Sequence, residues 1–134
     1  LAISLHAPNN QLRSKLMKIN KAYPLEKLMP VLKRYIDVTH RRLTFEYILL
    51  SGVNDTTECA LELSQLLRGM NCYVNLIPYN ESSNFTLKRS KTSQINRFYD
   101  ILKKEGINVT IRKEFGSNIS AACGQLRSKK EEQK

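Results

Sequence analysis

Close to its C-terminus the chain reads NISAACGQLRSKK, which sets a cysteine, Cys123, between Ala121-Ala122 and Gly124 in what reads as a loop. Small neighbours leave a sulfur open to approach, and the deprotonated thiol is a nucleophile. The setting suggests reactivity, although most free cysteines are small buried hydrophobes. Cys59 fits that second description, since it shares a helical face with Leu63, Leu66 and Leu67, and Cys72 merely precedes an apolar run. Two further polar groups matter only if the fold brings them to one place: His6, ending the tripeptide Ser4-Leu5-His6, and Asn80, ending NLIPYN. Taken alone, His6 is a strand-end histidine and Asn80 a turn residue of the kind favoured after proline.

The elements that must position these groups follow from periodicity. LAISLHA predicts a buried strand ending near His6. After a polar stretch, PLEKLMPVLKRYIDV carries Leu25, Leu28, Met29, Leu32, Tyr35 and Ile36 at helical spacing, with Pro30 expected to kink the helix or mark its first turn. RLTFEYILL predicts a second strand and Gly52-Val53-Asn54-Asp55 a turn. Asp55, with Glu58 three residues on, looks like a capping-box start for a helix over about 57–68. YVNLIPYN is a nearly continuous apolar run of the kind found in strands covered on both sides, with Pro78 at the end where the ladder can stop. A helix over about 92–105 turns Ile95, Phe98, Tyr99 and Leu102 inward and ends at Gly106. NVTIRKEF is the last strand.

This alternation implies an α/β fold, four parallel strands joined by right-handed crossover helices, which is half of a larger sheet or barrel. In such folds ligands bind at the carboxyl ends of the strands. In this register His6, Asn80 and the Cys123 loop share that rim.

Bulk composition narrows the partners. The 134 residues, 41% of them hydrophobic, make at most one domain with a core. No apolar run is long enough to span a membrane. Lys and Arg number 22 against 12 Asp and Glu, a net charge of +10 that makes a polyanion such as RNA or DNA plausible, although the mixed-sign tail RSKKEEQK carries part of it. Three cysteines without a C-x-x-C pair argue against a disulfide framework and for a reducing compartment, the cytoplasm. The chain opens with no initiator methionine, no signal-peptide pattern and a strand already under way, as if taken from something longer.

With these residues in hand, the sequence resembles the C-terminal part of the radical-SAM rRNA adenine methyltransferases of the RlmN/Cfr type. The likeness runs in order through SLHAP (4–8), LRSKLMKINKAYPL (12–25), EYILLSGVND (46–55), VNLIPYN (74–80), VTIRKEFG (109–116) and AACGQL (121–126). It implies that residues 1–126 form the C-terminal half of a radical-SAM partial (β/α) barrel, followed by a charged tail, 127–134. The cofactors implied are S-adenosylmethionine (SAM) and a 4Fe-4S cluster. Cys123 would be the cysteine that is S-methylated and carries the methyl group to RNA, and Ser4, Leu5, His6 and Asn80 would contact SAM. Adenine C2, flanked by two ring nitrogens, is too electron-poor to attack the methyl of SAM, hence the detour through a thiolate and radical chemistry. The implied partner is 23S rRNA, with tRNA left open.

Departures from the family pattern shape the expectation as much as the matches do. The C-x-x-x-C-x-x-C cluster motif, the resolving cysteine, the glycine-rich SAM segment and the general base all precede this region in the family, and the chain has no metal ligands of its own. Cys59 and Cys72 cannot replace a set of closely placed thiolates, so the chain alone is expected to be inactive. The family's DIDAAC is here NISAAC, with Asn118 and Ser120 in place of two acids. Two other readings stay open: a sister enzyme acting at adenine C8, and a basic α/β RNA-binding module without chemistry of its own. An exposed edge strand would also favour self-association.

Overall fold

The computed structural model describes residues 1–81 and 87–112. Four strands, β1 (Ala2–Ser4), β2 (Leu43–Leu49), β3 (Cys72–Pro78) and β4 (Asn108–Ile111), form one parallel sheet in the order β1-β2-β3-β4. Helices α2 (Leu25–Thr39), α3 (Thr57–Leu67) and α4 (Thr92–Lys104) make the three crossovers. Sequential order with one crossover hand places every helix on the same side of the sheet, which is half of a (β/α) barrel and agrees with the expected class.

Side chains alternate across each strand, and burial separates the two faces. Leu43, Phe45, Tyr47 and Leu49 of β2, with Cys72, Val74 and Leu76 of β3 and Val109 of β4, pack in one cluster with Leu25, Met29 and Leu32 of α2, Leu63 and Leu67 of α3, and Ile95, Phe98 and Leu102 of α4. The Tyr47 and Phe98 rings meet at its centre, 5.2 Å apart. Cys59 is buried there as its helical spacing predicts. The opposite face carries Ala2, Ser4, Thr44, Glu46, Tyr73, Asn75, Asn108 and Thr110, all exposed or half-buried.

That open face corrects two expectations. β1 is a three-residue edge strand with Ala2 and Ser4 exposed, not a buried strand, and β3 is covered fully on one side only. The reason is common to both: apolar runs announce burial, but a half barrel supplies helices to just one face. The polar stretch after β1 is also ordered, as helix α1 (Asn10–Leu16) and a 3-10 helix (Lys18–Lys21). Asn9 caps α1 by accepting the Leu12 N–H at 2.8 Å. Pro30 lies within α2, exposed, and the helix continues through it. Thr56, not Asp55, caps α3, its hydroxyl accepting the Cys59 N–H at 3.1 Å. Among the described residues no helix is long and apolar enough to cross a membrane.

Candidate functional site at the carboxyl rim of the sheet

The β1–β2 ladder ends where Leu5 N–H donates to Glu46 C=O at 2.9 Å. There the chain leaves the sheet because His6 takes a left-handed conformation, φ +60°, uncommon for a residue with a Cβ. The Ile48 N–H, which a longer β1 would have satisfied with a carbonyl, donates instead to His6 Nδ1 at 3.0 Å. With Nδ1 accepting, the neutral ring carries its proton on Nε2, and among the described residues Nε2 has no hydrogen-bond partner. Burial, helped by the charge of Arg13, pushes the His6 pKa down to about 4, so the ring is neutral at pH 7. The result is a fixed N–H donor at the rim.

Two buried side chains hold this geometry. Asn54 donates through Nδ2 to the carbonyls of His6 (2.9 Å) and Ile48 (2.7 Å), and its Oδ1 accepts the Leu50 N–H at 2.8 Å. Its own carbonyl accepts the Tyr47 hydroxyl at 2.7 Å, a hydroxyl that burial keeps protonated. On the other flank, Arg13 donates to the carbonyls of Leu5 and Ser4, both at 3.1 Å, and to Asn20 Oδ1 at 2.7 Å. Next to Asn54, the Asp55 carboxylate accepts Gly52 N–H and the Ser90 hydroxyl, which ties the β2–α3 turn to the segment entering α4. In the sequence alone Asn54 and Asp55 read as turn residues, and nothing marks Arg13 or Asn20. The available signal was polarity at positions that the fold buries.

The remaining expected residues distribute as follows. Ser4 is exposed on the open face, in register with Glu46, Asn75 and Thr110. Leu5 turns to the other side, fully buried in the core, with its N–H and carbonyl already engaged. Asn80 lies two residues past β3, half-buried. His6 and Asn80 thus stand at the carboxyl ends of β1 and β3, strands roughly 10 Å apart across β2 at the usual spacing, with Asn80 three residues beyond the level of His6, so a ligand that touches both must be extended. Beneath them Arg112 reaches across to Glu46 at 3.3 Å, a pair that sequence reading did not single out. Cys123, with Asn118, Ser120 and the tail 127–134, lies outside the described residues. Burial pushes the Cys72 thiol up to about 11, away from thiolate chemistry. Among the described residues no group of three or more His, Cys, Asp or Glu could hold a metal ion.

The described residues form an α/β half barrel with a polar open face and the His6 donor on its carboxyl rim, and known proteins share this arrangement. A radical SAM methyltransferase from Sphaerobacter thermophilus superimposes with a TM-score of 0.88 and 50% identity over 93% of this chain and 37% of that one. A probable dual-specificity RNA methyltransferase RlmN from Spiroplasma citri is 58% identical over 98% of the chain, and one so named from Enterococcus faecalis is 57% identical over 96%. Over nearly its whole length the chain is thus similar to proteins named as RlmN-type or radical SAM methyltransferases. It spans 37% of the length of these curated relatives. No protein-family model matches it.

Proposed function

We propose that this chain supplies the SAM-contacting rim and the methyl-carrying cysteine of an RNA methyltransferase acting at adenine C2 of 23S rRNA, in the cytoplasm. The observation that carries the reading is His6: a neutral imidazole locked by Ile48 N–H, offering Nε2–H at the carboxyl rim of a half barrel whose relatives are named RNA methyltransferases. SAM, when bound, supplies both the methyl group and, at a 4Fe-4S cluster, the radical source. The residues present suit the SAM part. His6 offers a donor that stays uncharged, Ser4 a hydroxyl on the open face and Asn80 an amide across β2, a set suited to the hydroxyls, ring nitrogens and amino-acid end of an extended nucleoside. Leu5, fully buried in the core, contributes only by anchoring the chain at the residue before His6. The described residues do not suit a cluster, since Cys59 and Cys72 are both buried, so no step is assigned to it here.

Mass spectrometry of the full-length protein purified from cells tests the reading. A methyl group on Cys123 is expected. A full-length protein that carries none and does not methylate RNA sinks the assignment and leaves a basic RNA-binding module, whereas a Cys123→Ala variant that still methylates RNA removes Cys123 from the chemistry. Methylated adenine recovered at C8 in place of C2 would redirect it to the sister activity.

A further inference from the structure

The excursion between β1 and α2 is longer than a strand-to-helix connection needs. Such loops usually run two to six residues, whereas here α1 and the 3-10 helix intervene. Its underside is wired to the sheet: buried Arg13 bonds the carbonyls of Ser4 and Leu5, and buried Asn20 receives Arg13 while donating to Ser14 Oγ at 2.8 Å. The Asn10 side chain accepts the Leu25 N–H at 2.8 Å, closing the excursion onto the start of α2. A segment held in this way is a platform fixed to the same rim as His6.

Its outer surface has a different character. From Leu1 through Leu25 there is no acidic residue, and Lys15, Lys18 and Lys21 are all exposed. Residues three apart eclipse in a 3-10 helix, so Lys18 and Lys21 stand one above the other. Beside them two large apolar side chains face solvent, Ile19 (55% exposed) and Tyr23 (60%). Tyr23 is held in place by its N–H, which donates to the Ile19 carbonyl at 3.0 Å. Packing among the described residues explains neither side chain, and no carboxylate of the excursion itself neutralises the lysines.

We infer that the excursion over residues 10–23 is a docking platform for single-stranded RNA, with Lys15, Lys18 and Lys21 on the phosphates and the Tyr23 ring under a base. This rests on the RNA reading above and adds to it where the RNA is held. The chemistry matches: ammonium groups bind phosphate and displace condensed counterions, and an exposed aromatic ring stacks an unpaired base whatever its identity. Placement supports it too, because Arg13, which bonds the β1 carbonyls next to His6, also reaches the Tyr23 carbonyl at 3.4 Å.

The test is fluorescence anisotropy of a short labelled single-stranded RNA of mixed sequence with the intact chain, across a salt series. Replacing Lys15, Lys18 and Lys21 by Gln is expected to flatten the slope of log affinity against log salt by roughly 2. Tyr23→Ala is expected to weaken binding roughly tenfold with the slope unchanged. The control removes the same charge from the outer faces of α2 and α4, at the exposed Lys33, Arg34 and Lys104. Equal weakening by the two triple variants would mean a diffuse field and overturn the platform. So would binding to phosphatidylserine vesicles without binding to RNA, or no binding at low salt. In each of these cases a methyl on Cys123 would still separate failure of the platform from failure of the enzyme reading. All substituted residues are exposed, and unchanged thermal melts confirm that the variants fold.

Discussion

His6 shows how one imidazole can serve as backbone and ligand donor at once. Its Nδ1 stands in for a strand carbonyl towards Ile48, and that role is open only to the neutral ring. Its folded pKa, about 4, lies below the ordinary 6.5, so between these values the unfolded chain binds more protons than the folded one. Stability is therefore full above pH 6.5 and falls as the pH drops towards 4, by at most about 3 kcal/mol from this group. Urea titrations across that window should show the midpoint falling. His6→Asn is expected to flatten the dependence, because asparagine tolerates the left-handed backbone and its amide oxygen can accept from Ile48 without titrating. A variant as pH-sensitive as the parent would show that the dependence comes from elsewhere.

Asn54 and Arg13 act on connections between elements. Asn54 joins the end of β1, the end of β2 and the turn into α3 through three side-chain hydrogen bonds, all to backbone. Asn54→Ala leaves one N–H and two carbonyls buried without partners, which costs about 3 kcal/mol and should lower the urea midpoint at constant m-value. Arg13 instead ties the α1 excursion to β1, with no carboxylate among its bonded partners. Arg13→Met keeps the apolar stem and deletes the donors. Hydrogen exchange should then speed up over residues 10–23 while α3 and α4 keep their protection, since local opening follows local bonding. Uniform acceleration throughout the chain would show that the excursion is integral to global stability.

The described residues have one closed face and one open face. The helices seal the first, and the second presents Ser4, Glu46, Asn75 and Thr110 in register with β1 at an edge. Edges and open faces invite partners, yet β1 is short and Arg13 occupies its Ser4 carbonyl, two features that blunt an edge. We expect weak, concentration-dependent association through this region, read by light scattering. Ala2→Lys is the paired variant, because Ala2 is exposed whereas Ile3 packs against the core. The lysine should shift the population towards monomer. A chain that stays monomeric at high concentration with either residue has its edge covered within itself.

Much of this protein is legible in its amino-acid order. Alternation of β-type and helix-type periodicity determined four parallel strands and three crossover helices, because hydrophobic spacing is a local record of which side of an element meets the core. The in-order stretches from SLHAP to AACGQL carried the resemblance to the methyltransferases before any coordinate was known. The inward faces of α3 and α4 followed the same rule, Leu63 and Phe98 among them. What spacing cannot record is whether the second face of a sheet has a partner, so β1 and β3 read as more deeply buried than they are. Nor can it assign a polar residue to the interior. Arg13, Asn20 and Asn54 look like surface residues in the one-dimensional chain; Arg13 and Asn54 become buried ties only when the end of β1, 8 and 48 residues away, brings carbonyls to them, and Asn20 when Arg13 reaches it. His6 drew notice as part of a motif, but its tautomer, its neutrality and its strained backbone come from the Ile48 N–H 42 positions on, a contact that exists only once β1 and β2 lie side by side.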